Sequence, residues 1–231
     1  MEQSGTSTLL QGAVQDLASG VVSALRGGDH TRSVLPAGTD GEAGDLALAA
    51  VRVLGSDALL PALLLRTPPD PAEVAVFRKA VEAYPPRADA APTVRWSHWG
   101  MARTLRRVDP AVTAGPPDEP GTGWLDEAGW QTLTHQLAVL APLALPGEDC
   151  AVSRLAGCHP VDVARGFVRA VRRRDWRQAA GAGRWLTLLP AVPDTVGLAS
   201  GLDFVELMGG QDPLVALHVQ AARLMRSGAR V

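Results

Sequence analysis

Three groups of side chains in this chain have types and spacings that suit chemistry. In the first, Trp96 and Trp99 stand three residues apart and bracket His98, with Arg95, Arg103, Arg106 and Arg107 on the same stretch. Residues three apart share one side of a helix. Paired indoles there can stack a planar ligand, and the arginines can clamp a carboxylate or phosphate. Trp96, His98, Trp99 and Arg103 are therefore one candidate ligand pocket. The same positions also suit a core. His98 falls on an apolar stripe with Met101 and Leu105, and large aromatics fill gaps between helices built from small residues.

The second group is basic. Arg165, Arg169 and Arg172 recur at i, i+4 and i+7, with Arg173 beside them and Arg174 and Arg177 at the following turn. Such a row can hold an acidic peptide, a phosphate or a nucleic-acid backbone, or it can be a solvated face. Trp176 adds an aromatic anchor of the kind that dominates binding energy. Arg165, Arg169, Arg172, Arg173 and Trp176 form the candidate partner-binding surface. A nucleic-acid partner has the least support, because no nucleic-acid motif accompanies the row and the formal net charge is −2.

Cys150, Cys158 and His159 form the third group, just after Glu148 and Asp149. Thiolate and imidazole are zinc ligands, but the close cysteine spacing of a zinc site is missing. Pro160 suits a helix start, whose N-terminus would favour a thiolate at Cys158. Adjacent residues point in different directions, so His159 is a poor base for that thiol, and the structural reading leads. His135 is expected on an exposed face and His218 on a buried stripe with Leu214 and Leu217. Neither has a carboxylate or a second histidine at i+4. No nucleophile elbow, zinc-protease or phosphate-loop motif occurs. Neither a metal nor a cofactor is expected.

The elements that must position these groups read as helices. Apolar residues recur with a period near 3.6 and nowhere alternate convincingly with period 2. The stripes are Leu10/Val14/Leu17/Val21/Leu25, Val74/Phe77/Val81/Tyr84, Val94/His98/Met101/Leu105/Val108, Trp130/Leu133/Leu137/Leu140, Ala164/Phe167/Val168/Val171 and Leu198/Leu202/Val205/Met208. They predict an all-α fold, a helical bundle or a short stack of αα-hairpins, with roughly nine or ten helices of common length. Residues 27–44 and 114–123 read as loops. The second separates an N-terminal half, 1–113, from a C-terminal half, 124–231, unless it is a surface loop within one domain. Leu46 to Leu65 is the most apolar stretch. Arg52, Gly55, Asp57 and Pro61 interrupt it, so it reads as two buried helices and not as a membrane span.

Asp70-Pro71, Asp109-Pro110 and Asp212-Pro213 each sit between helical patterns, and Asp175-Trp176 shares that setting. An Asp at the N-cap accepts a bond from an orphan N–H, and Pro at the first helical position lacks only a donor that has no partner there. At an offset of 37, Phe167-Val168, Asp175 and Ala179 fall on Phe204-Val205, Asp212 and Ala216. The segment Phe167 to Pro190, with its acidic–aromatic turn, the small Ala179 and the closing Pro190, resembles a tetratricopeptide-type helical hairpin. The resemblance covers roughly residues 164–227. It implies stacked αα-hairpins and an interaction surface, not a reaction. Gly181 and Gly183 within this stretch imply close approach of a neighbouring helix, or of a ligand.

Composition bounds the rest. The 231 residues contain no Ile, no Asn and one Lys, Lys79, against 21 Arg. This bias points to a GC-rich, actinobacterial type of genome, in which Arg replaces Lys on ordinary surfaces. Residues 1–150 carry 11 basic and 18 acidic side chains, and residues 151–231 carry 11 basic and 6 acidic. A basic C-terminal part suits an acidic partner. Two cysteines and no basic leader before the first apolar stretch predict a cytoplasmic, reducing setting. The leading expectation is an accessory module that binds a protein or peptide partner. The alternative is a small helical enzyme or ligand-binding protein of specialised metabolism, built around Trp96, His98 and Trp99.

Overall fold

The computed structural model describes residues 2–27, 34–35, 41–112, 115 and 117–228, with side chains from Ser7 onward. The chain is all-α, as the periodicity predicts. Among the described residues there are twelve α-helical segments, eleven of them six residues or longer, and no strand. The chain forms two compact units, Met1–Asp118 and Glu119–Val231, and the division falls inside the 114–123 stretch.

In the first unit, α1 (Glu2–Leu25) packs on α2 (Gly41–Leu54) and α3 (Leu60–Leu65). α4 (Pro71–Ala83) lies on α2, and α5 (Pro92–Val108) packs against α4 and the 3₁₀ segment Gly55–Leu59. Gly41–Leu65 is long and apolar enough to cross a membrane, with mean hydropathy 1.7, but more than half of its most apolar window is buried within the structure. Left-handed backbone at Gly55, φ +67°, breaks it into α2, the 3₁₀ turn and α3. The expected loop 27–44 is shorter than its composition suggests, because α2 already begins at Gly41; residues 28–33 and 36–40 lie outside the described residues.

The second unit contains α6 (Gly123–Asp126), α7 (Trp130–Val139), α8 (Ala151–Cys158), α9 (Pro160–Arg172), α10 (Trp176–Leu186), α11 (Leu198–Gly209) and α12 (Pro213–Gly228). α10 is its axis, touched by α7, α9, α11 and α12. Every residue from Ala179 to Leu186 is buried. A helix enclosed on all sides needs small side chains where neighbours come closest. A Cβ on Gly181 would lie 2.7 Å from the Ala138 carbonyl oxygen, and one on Gly183 would lie 2.7 Å from Leu202 Cδ2. Helix packing thus explains both glycines.

The Asp turns divide into two kinds. Asp70 caps α4 by accepting from Ala72 N at 2.7 Å, and Asp175 caps α10 by accepting from Gln178 N at 3.2 Å. Asp212 accepts from Leu214 N at 3.1 Å and so caps α12. Asp109 does not cap a helix. It terminates α5, accepts from Ala111 N at 3.0 Å and pairs with Arg78. Gly115 and Pro116-Pro117 follow too soon for a helix to develop.

Two stripes are rotated from their expected faces. Val94 is exposed, while Trp96, Trp99, Met101 and Leu105 face inward. Trp96 sits about 200° around the helix from Val94, and burying indoles removes more apolar surface than burying a valine. Met208 is exposed because its neighbour Gly209 takes the close contact, against the Trp176 side chain.

Candidate functional site

The indole pair of α5 is part of the core. Trp96 and Trp99 are buried and meet edge to face, with centroids 5.1 Å apart. Trp99 Nε1 donates to the Pro117 carbonyl at 3.1 Å, and the Arg103 guanidinium lies 5.6 Å from the Trp99 ring centroid. His98 is half-buried and its Nε2 donates to the Val81 carbonyl at 3.2 Å. Burial pushes its pKa below the ordinary histidine range; the Val81 bond works the other way, and the nearby Arg52 charge adds to the lowering. Arg52 reaches from α2 to donate to Tyr84 O, Val94 O and Ser97 Oγ, tying α4 to α5. Of the four residues of the candidate ligand pocket, Trp96, Trp99 and Arg103 are brought together, whereas the His98 ring is engaged by Val81 of α4. A cavity of about 370 Å³ lies elsewhere in this unit, lined by Leu59, Ala62, Leu65, Pro69 and Glu73 among others. The Glu73 carboxylate there accepts from the amides of Val34 and Leu35.

The third group is spread over one helix and the start of the next. Cys150 is buried ahead of α8, and burial pushes its thiol pKa up. Cys158 is exposed and forms the last residue of α8, so the helix N-terminus beyond it belongs to Pro160. His159 Nδ1 lies 3.4 Å from Asp162 Oδ2. Among the described residues no three His, Cys, Asp or Glu side chains gather closely enough to hold a metal ion. His135 is exposed on α7. His218 is half-buried on α12, and its Nδ1 accepts from Arg184 Nη1 at 3.3 Å. Arg184 is fully buried within α10 and also donates to the Ala144 carbonyl at 3.1 Å.

The basic row of α9 is divided by its partners. Arg165 pairs with Asp162 at 3.4 Å. Arg169 lies over the Trp130 ring, 5.9 Å from its centroid. Arg172, Arg173 and Arg174 are exposed and have no carboxylate partner among the described residues. Arg174 adopts left-handed backbone, φ +59°, where the chain turns from α9 into α10. By contrast Arg154, Arg177 and Arg223 are paired, with Glu119 and Asp149, with Asp212, and with Asp203 and Glu206.

Directly after this turn stands Trp176, half-buried, its ring 6.0 Å from that of Phe204 in an edge-to-face contact. Phe204 is 45% exposed, Leu207 80% and Met208 49%. These three lie at i, i+3 and i+4 on α11 and make one apolar ridge. Phe204 and Leu207 were not among the sequence candidates. The available signal was that α11 is apolar on two sides, with Leu202 and Val205 as the side that is buried. The tertiary contact between Trp176 and Phe204 joins the basic turn to this ridge.

Comparison of the chain with protein-family models, with curated proteins and with solved structures finds no match.

Proposed function

We propose that this chain is an interaction module that binds an acidic segment of a protein partner through the surface made by Arg172, Arg173, Arg174 and Trp176. The observation that carries the reading is the run of three exposed guanidiniums with no carboxylate partner among the described residues, followed after Asp175 by the half-buried Trp176, whose ring meets Phe204 edge to face. Arginine and tryptophan are among the residues enriched where interface binding energy concentrates. Three exposed cations beside a single carboxylate, Asp175, also steer an acidic partner toward the surface. Arg165 and Arg169 flank the site, one neutralised by Asp162 and one lying over Trp130, so their share in binding is smaller. A tetratricopeptide-like pairing of α9–α10 with α11–α12 is part of the proposal. It is supported by the equivalent caps at Asp175 and Asp212. A cytoplasmic setting is also part of it, supported by two unbonded cysteines.

The test is recovery of partners by the full chain from a lysate of its source organism, compared with Arg172→Glu/Arg173→Glu. Arg87→Glu, in the first unit, serves as the charge control. The expected result is a stoichiometric partner retained by the wild type and the control and lost by the double variant. Equal recovery by all three removes this surface from the function.

A further inference from the structure

We infer that the segment bound here is an amphipathic α-helix with an acidic edge, its apolar face seated on the α11 ridge of Phe204, Leu207 and Met208. This rests on the interaction surface proposed above and specifies its ligand. The first argument is geometric. A ridge at i, i+3 and i+4 fits the groove between side-chain rows of another helix. The second unit offers no strand edge among its described residues. An extended peptide would therefore gain no main-chain ladder here, whereas a helix satisfies its own backbone.

The second argument is charge. Arg177 is neutralised by Asp212, and Arg223 by Asp203 and Glu206. Arg172, Arg173 and Arg174 remain at one end of the surface, opposed locally by the Asp175 carboxylate, which caps α10. One end of the surface is thus cationic, and an acidic helix edge complements it.

The experiment uses the full chain and a fluorescein-labelled peptide of eighteen residues, with Leu at i, i+3, i+4 and i+7 and Glu along one edge. Three peptides accompany it: a scramble of the same composition, a version with two central prolines, and a version with Lys in place of Glu. Fluorescence anisotropy measures binding, and circular dichroism of the mixture measures helix gained on binding. The expected result is binding with added helicity, weakened at least about tenfold by scrambling, by proline or by charge reversal of the peptide. Leu207→Ser/Met208→Ser and Arg172→Glu/Arg173→Glu/Arg174→Glu should each weaken it comparably while leaving the thermal midpoint of the protein unchanged. Leu207 is 80% exposed, so Leu207→Ser alone, which should also weaken binding, separates contact from any effect of the less exposed Met208 on folding.

If the scramble and the proline peptide bind as well as the helix former, and only the arginine variant fails, the acidic-partner reading stands and the helical ligand is overturned. If the Leu207/Met208 variant instead abolishes a dimer seen by sedimentation, the occupant is a second copy. Binding to phosphatidylserine vesicles in preference to every peptide would make it a membrane. Either result overturns the inference, as does a complete lack of peptide binding.

Discussion

At the scale of single residues, identity alone misleads and contact decides. Twenty-one arginines in a chain with one lysine say more about coding bias than about function. Their partners separate them: Arg165 is paired with Asp162, whereas Arg172, Arg173 and Arg174 have no carboxylate partner among the described residues. The Asp162–Arg165 pair is legible from its i,i+3 spacing, but the partners of other arginines, such as Asp212 for Arg177, come from distant positions that no local pattern announces. Glycines divide in the same way. Gly181→Ala places a methyl group against the Ala138 backbone, so chemical denaturation should show a loss of about 1–3 kcal/mol. Gly12→Ala in α1 meets nothing within 4 Å, and the same measurement should show a gain of about 0.5–1 kcal/mol. Equal effects at both positions would contradict the packing given for α10. His98 gives a pH test. Its folded pKa is lowered, chiefly by burial, so the unfolded chain takes up that proton first. Stability should therefore fall as pH drops below about 6.5, and His98→Gln should flatten the slope between pH 7 and pH 5. Asp109 acts in a different window. Its carboxyl pKa is held down first by the Arg78 bond, so its contribution is present above the ordinary carboxylate pKa and is lost at more acidic pH.

At the scale of elements, the helices were legible because their determinants are local. Proline opens α4, α5, α9 and α12, and the period-3.6 stripes run through them. Capping was legible in part. Asp70, Asp175 and Asp212 accept the expected amide bonds, while Asp109, in the same Asp-Pro sequence as Asp70 and Asp212, ends a helix. What lies downstream makes the difference: an apolar helical pattern follows the first three, and a Gly/Pro-rich stretch follows Asp109. Replacing Asp175 or Asp212 by Ala should therefore cost about 1 kcal/mol each in thermal denaturation, through loss of a cap. Replacing Asp109 should act through Arg78 instead. Asp109→Ala combined with Arg78→Ala should then cost less than the sum of the single changes. Additive costs would deny that the pair matters. The buried face of each helix was less legible than its existence. In α5 the indoles displaced Val94 to the surface, and in α11 two apolar faces competed for one core.

At the scale of the molecule, each of the two units carries its own apolar interior. Phe77, Trp96, Leu59 and Met101 fill the first, and Trp185, Phe167, Leu137 and Leu217 fill the second. A fragment of residues 119–231 should for that reason remain helical by circular dichroism and unfold cooperatively; a fragment without a cooperative transition would show that its core is incomplete. The stretch 114–123, within which the division falls, is Gly/Pro-rich and has few groups able to hold a helix. The helical class was visible in the residues, because backbone preference and apolar spacing act over a few neighbours. The candidate surface was visible only as a basic row with Trp176 beside it. Its other part, Phe204 with Leu207 and Met208, depended on which side of α11 lost the competition for contact with α10 and α12. That competition is settled by close packing among residues far apart in the chain, where a glycine such as Gly209 admits an indole and a methionine beside it is left in solvent.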